Sequence, residues 1–107
     1  MSVEQVLARI DNDLDASLDR LVELLRIKSI SADPAYKDDC RQAAIWCAEQ
    51  LTEVGIPASV RKTIGHPMVV GHYDGAGPGA PHILFYGHYD EQPLDPLDLW
   101  QSDPFDP

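Results

Sequence analysis

The chain has 107 residues, 44% of them apolar and 24% charged, the balance of an ordinary soluble globular unit rather than a disordered or fibrous one. That length supports one modest core and one domain at most. With 18 acids against 8 bases, a net charge of −10, nucleic acid and anionic membrane are set aside as partners, because phosphate binding needs clustered Lys and Arg.

The first predicted element is a helix over residues 1–28. Val3, Leu7, Ile10, Leu14, Leu18, Leu21 and Leu25 recur in steps of three and four and draw one apolar stripe down it. This start is acidic and amphipathic, unlike a signal peptide, and no window approaches the ~20 apolar residues of a membrane span. The default compartment is therefore cytoplasmic. Asp33-Pro34 offers an N-cap and a first-turn proline, so a second helix is expected over 34–55. Its apolar face is Cys40, Ala43, Ala44, Cys47, Leu51 and Val54, and Gly55 stands where a left-handed residue ends a helix. Cys40 and Cys47 lie about two turns apart, too far to bridge in a straight helix, and read as small buried hydrophobes in a reducing compartment.

Strands are expected within 58–88, at Ala58–Thr63, Met68–Tyr73 and His82–Tyr86, with the last extending toward His88. Glycines and prolines separate them. The run Ile83-Leu84-Phe85-Tyr86 is continuously apolar, as in a strand covered on both faces, and with two helices it predicts an α/β layered domain. Residues 90–107 carry four prolines, six acids and no base, and read as a proline-rich acidic loop. Yet Leu94, Leu97, Leu99, Trp100 and Phe105 are more apolar than a solvated tail needs and call for cover. The expectation is an amino-terminal piece of a longer protein.

Gly87-His88-Tyr89-Asp90 is the main candidate for chemistry. Side chains two apart on a strand point the same way, so His88 and Asp90 can share the cleft at the carboxyl end of the third run. An imidazole suits zinc, and a carboxylate two residues on can take the other ring N–H. On spacing alone the pair reads first as a hydrogen-bonded couple in a polar loop and only second as a metal ligand, since a lone histidine is more often structural. Gly71-His72-Tyr73-Asp74 repeats the same four residues; at the end of a strand that opens into a glycine-rich loop, without a covered run in front or the proline-aromatic segment behind, His72 and Asp74 read as ordinary strand-end residues before metal ligands. His66 and His82 read as separate turn residues. The acidic tail lacks the carboxylate spacing and glycine of an EF-hand loop.

The string from Ile83 to Asp90, continued by Gln92-Pro93, Asp95-Pro96-Leu97, Leu99-Trp100 and Ser102-Asp103-Pro104-Phe105, resembles the first metal motif of the dinuclear zinc peptidases. That family includes carnosinase-like dipeptidases, aminoacylase and succinyl-diaminopimelate desuccinylase. The likeness is nearest the dipeptidase branch and extends upstream to Ser29-Ile30-Ser31, Trp46 and the helix ending at Gly55. It implies that residues 1–107 are the amino-terminal portion of a three-layer α/β/α catalytic domain, with the lid domain absent. It further implies His88 as a zinc ligand and Asp90 as the catalytic aspartate steadying that ring. Two zinc ions per complete site are implied, with other divalent metals as alternatives, and a dipeptide or N-acyl amino acid as substrate. Homodimerisation of the complete form stays open. Glu91 departs from the family, where valine is usual. The remaining ligands and the general base would lie downstream, so the fragment is expected to be inactive alone. The competing reading is a non-catalytic interaction module that binds a partner through Leu97, Trp100 and Phe105.

Overall fold

The computed structural model describes all 107 residues. The first helical stretch is divided in two, α1 (Val3–Asn12) and α2 (Leu14–Arg26). Ser2 opens α1 with a reciprocal capping box, accepting from the Gln5 N–H while the Gln5 side chain accepts from the Ser2 N–H. The single expected helix over 1–28 is corrected at Asp13, whose backbone (φ −98°, ψ 8°) ends one helix and begins the next. Asp11-Asn12-Asp13 explains the break, because three short polar side chains in a row compete with the helix for backbone hydrogen bonds. Neither helix contains a buried residue. The stripe from Val3 to Leu21 is exposed, and only near the end of α2 do Val22, Leu24 and Leu25 become half-buried.

Asp33 caps the next segment, accepting from the Ala35 N–H at 2.9 Å, and Pro34–Tyr36 form a 3-10 turn that leads into α3 (Lys37–Glu53). Gly55 follows with φ +90°, the left-handed geometry the sequence pointed to. β1 (Ala58–Arg61) and β2 (Met68–Gly71) pair antiparallel with Ala58 opposite Gly71 and Arg61 opposite Met68. This hairpin lies on α3. The close approach is visible at Gly71, where a Cβ would come within 3.1 Å of Ile56 Cγ2 and 3.4 Å of Leu51 Cδ1. The core is small: Cys40, Ala43, Ala44 and Ala48 on one face of α3, with Ser29, Ile30 and Phe105 around it. Small side chains let the layers approach closely.

The third expected strand is not formed. Residues 82–88 carry no main-chain hydrogen bond, and Ile83, Leu84, Phe85 and Tyr86 are 79–95% exposed rather than covered on both faces. A strand exists only through its neighbours, and no other segment of these residues lies alongside it. In 90–107 a 3-10 turn at Leu97–Leu99 interrupts the loop. Trp100 is half-exposed and donates from its indole N–H to the Leu94 carbonyl at 3.0 Å. Phe105, expected to seek a partner with Leu97 and Trp100, is instead buried against this chain. The Lys28 ammonium lies 5.5 Å from its ring centre, and Asp106 pairs with Arg26 at 3.1 Å.

The result is a flat α/β unit of 50 × 36 × 19 Å. Its exposed surface is 8872 Å², where a closed monomer of 11.9 kDa is expected to show about 6,000 Å². Its radius of gyration is 16.7 Å against about 13 Å for a compact chain of this length.

Candidate functional site

Two segments 60 residues apart meet to build the site. Ile30 forms an isolated parallel bridge with Glu91, the Glu91 N–H donating to the Ser29 carbonyl at 2.8 Å and the Ser31 N–H to the Glu91 carbonyl at 3.4 Å. Ser29, fully buried, donates its hydroxyl to the Tyr89 carbonyl at 2.9 Å. Tyr89 in turn reaches the Pro67 carbonyl with its phenol, so the hairpin loop is tied to the same point. His66 adds another tie, its Nε2 donating to the Ser31 carbonyl at 2.8 Å.

On this platform His88 and Asp90 face each other. Nδ1 of His88 lies 3.2 Å from Asp90 Oδ1 and 3.1 Å from the Asp90 carbonyl oxygen, so a proton on Nδ1 is shared between two acceptors. In the neutral tautomer that carries its proton on Nδ1, Nε2 offers the lone pair, and with 73% of the side chain exposed it is open to a ligand. Asp90 accepts the Ser31 hydroxyl on its other oxygen at 2.5 Å. That bond, with lesser help from the backbone and His88, holds the Asp90 carboxyl below the usual carboxylate range against a modest opposing effect of burial. Burial pushes the neighbouring Glu91 carboxyl up and is the main cause of the upward shift of the Tyr89 phenol. Glu91 is thus half-buried beside the site rather than simply turned to solvent.

The two Gly-His-Tyr-Asp copies behave differently. Gly71 is packed against α3 and His72 extends the ladder, its N–H donating to the Pro57 carbonyl at 3.1 Å; nothing lies within 4 Å of a Cβ built on Gly87. Asp74 lies in the turn that follows, its carbonyl accepting from the Gly77 N–H at 3.1 Å. The expected separateness of His72 and His82 is corrected: the glycine-rich loop returns and brings their rings to 5.1 Å, edge to face. His66 is likewise more than a turn residue, being bonded to the site's supporting segment. Ser29, Ser31 and His66 were missed as parts of the site; the alternation Ser29-Ile30-Ser31, two hydroxyls on one side of an extended segment, was the available signal.

No group of three or more His, Cys, Asp or Glu side chains stands close enough together to hold a metal ion. The donor set nevertheless fits one coordination bond: an exposed imidazole with Nε2 free and Nδ1 committed to a carboxylate, the arrangement that orients metal-bound histidines. No helix is long and apolar enough to cross a membrane.

No family model matches the chain. It is 30% identical, over 98% of its own length and 24% of the relative's, to a Cys-Gly metallodipeptidase of Schizosaccharomyces pombe. To succinyl-diaminopimelate desuccinylase of Bordetella pertussis it is 33% identical over 76% of the chain and 21% of that protein. The solved structure of a di-peptidase from Saccharomyces cerevisiae superposes with a TM-score of 0.87 at 26% identity, covering 98% of this chain and 24% of that one. The chain spans about a quarter of the length of these relatives.

Proposed function

We infer, from its likeness in sequence and fold to Cys-Gly metallodipeptidases and succinyl-diaminopimelate desuccinylase, that the chain furnishes the first metal ligand of a zinc-dependent hydrolase of peptide or amide bonds. The observation that carries this reading is the His88–Asp90 couple, with Nδ1 engaged and Nε2 free. His88 would hold the metal, and Asp90, its carboxyl held ionised by Ser31, would keep the ring oriented and basic. A bound divalent metal supplies Lewis acidity toward the scissile carbonyl and lowers the pKa of water. The relatives' substrates share an amide carbonyl, so a dipeptide or an N-acyl amino acid is the proposed substrate class. The free thiols Cys40 and Cys47 support a reducing, cytoplasmic setting.

These residues alone supply one ligand where a catalytic zinc takes three from protein, so we propose that they are silent as a hydrolase until joined to the other ligands. The test uses the complete protein. His88→Ala is expected to abolish dipeptide hydrolysis and lower bound zinc, whereas His72→Ala leaves both near wild type. Equal losses from the two changes, or turnover with stoichiometric zinc by the isolated 107 residues, would overturn the reading. The interaction-module alternative has lost Phe105 to the chain's own core and keeps Leu97 and Trp100 as exposed anchors.

A further inference from the structure

We propose that Ser31 is the positioning residue of this site: its hydroxyl selects the orientation of the Asp90 carboxylate and thereby the ring nitrogen on which His88 keeps its proton. The functional meaning of this rests on the reading of His88 as a metal ligand; the geometry stands without it.

A carboxylate turns about its last torsion through broad, roughly two-fold wells, so an unclamped Asp90 would meet His88 only intermittently. Here one oxygen, Oδ2, takes the Ser31 O–H at 2.5 Å, which leaves Oδ1 facing Nδ1 at 3.2 Å. Ser31 can act as a clamp because it is itself held. Its N–H donates to the Glu91 carbonyl and its carbonyl accepts from His66 Nε2 at 2.8 Å. Two residues earlier Ser29 is fully buried and bonded to both Tyr89 and Glu91. Side chains two apart on an extended segment share a side, so the hydroxyl that anchors the Tyr89 carbonyl and the one that orients Asp90 stand in one row. Constraint passes from a buried residue, through Ser31, to an imidazole that is three-quarters exposed.

The consequence is chemical. With Nδ1 protonated and shared with Asp90, Nε2 offers a lone pair; in the opposite tautomer Nε2 carries a proton and offers none. Ser31 acts by biasing the ring toward the Nδ1–H tautomer before any ligand arrives, adding the carboxylate to the Asp90 carbonyl oxygen that also lies 3.1 Å from Nδ1.

The experiment is done on the metal-free 107-residue chain with 15N-labelled histidine, reading the two ring nitrogens of His88 by long-range proton–nitrogen correlation at about pH 8, where ordinary imidazole is neutral. Wild type is expected to be mainly protonated on Nδ1. Ser31→Ala should lower the ratio of Nδ1–H to Nε2–H by about two- to tenfold, the worth of one hydrogen bond. Ser31→Thr, which keeps a hydroxyl, should retain the wild-type ratio, and His72 should not change in any variant. If circular dichroism shows Ser31→Ala unfolded, Ser31→Thr and Ser31→Val carry the comparison, since they match in shape and differ in the hydroxyl. In the wild type itself, a slowly exchanging Ser31 hydroxyl proton close to Asp90 is expected, and its absence counts against the clamp. An unchanged ratio in a folded Ala or Val variant, or a Thr variant that shifts as far as Val, overturns the proposal. Neither metal nor turnover enters these readings. A complete protein in which His88→Ala left bound zinc unchanged would therefore sink the functional reading and leave this one intact, while an unchanged ratio would do the reverse.

Discussion

Ser29→Ala isolates the hydrogen bond on which the site's platform depends. Ser29 is the one fully buried polar side chain, and its hydroxyl is the sole partner of the Tyr89 carbonyl, 60 residues away. Truncation removes a single oxygen and leaves no methyl-sized void, so the cost is the lost hydrogen bond plus a carbonyl left without a partner, about 1–3 kcal/mol. Tyr89 is only half-buried, and water can partly replace the donor. That places the expected loss in the lower half of the range, about 1–2 kcal/mol, or roughly five- to thirtyfold in the unfolding equilibrium. Urea unfolding followed by far-ultraviolet circular dichroism measures it. With a slope of about 1.5 kcal/mol per molar urea, the midpoint should fall by about 1 M without a change of slope. His88→Ala is the control: its side chain is 73% exposed, so its stability should stay within about 0.5 kcal/mol of wild type. A Ser29→Ala chain as stable as wild type, or a His88→Ala chain destabilised to the same degree, would refute the division between buried platform and exposed imidazole.

Asp90→Asn in the complete protein should weaken metal binding by about 10–100-fold in a calorimetric titration, because the ring loses its charged acceptor; an unchanged affinity means Asp90 does not support His88. Burial raises the folded-state pKa of Glu91, so its contribution to stability is present below the ordinary carboxylate value and is lost as pH rises through the folded value. Glu91→Gln should therefore gain on wild type as pH rises above the ordinary carboxylate value in parallel urea titrations, and a constant difference across that rise contradicts the assignment. Asp90 has the opposite sign: its folded pKa is depressed, first by Ser31, so what it contributes is present above the ordinary value and lost as pH falls through the folded one. Cys40 has no exposed surface and Cys47 is half-buried, so timed alkylation mapped by mass spectrometry should label Cys47 first and Cys40 only on unfolding; the reverse order would show that the α3 face opens.

Local chemistry was legible in the sequence where the signal is local. Asp33, Pro34 and Gly55 bound the third helix because capping, fixed φ and left-handed geometry are properties of single residues. The hairpin announced itself through glycine and proline punctuation, and the His88–Asp90 couple through the two-residue period of an extended chain. What covers an apolar run is not a local property. Ile83–Tyr86 reads as a strand because its composition demands burial, yet composition names no neighbour, and in this structure none is present. The bond from Ser31 to Asp90 is hidden for a related reason. It spans 59 residues, and a serine carries no mark that distinguishes a clamp from a surface hydroxyl. The approach of His72 to His82 was hidden by the loop between them, whose glycines permit many paths and specify none.

The open surface and the closed site are connected through His88. About 2,900 Å² is exposed beyond what a compact chain of this mass would show, in part on the α1 and α2 stripe and on Ile83–Tyr86. Covering even 1,000 Å² of apolar surface would be worth about 25 kcal/mol before entropy and desolvation are set against it, so overall stability depends on whether those faces are covered. The geometry around Asp90 is not, since each of its ties is a hydrogen bond within this chain. His88 lies at the boundary between these regimes, two residues from the held Asp90 and two from the unpaired Tyr86. Its imidazole is oriented from one side by Asp90, while its main chain is unsupported from the other. Any pairing that brings residues 83–86 into a sheet therefore acts on His88 first, fixing its backbone where Ser31 and Asp90 have already fixed its ring.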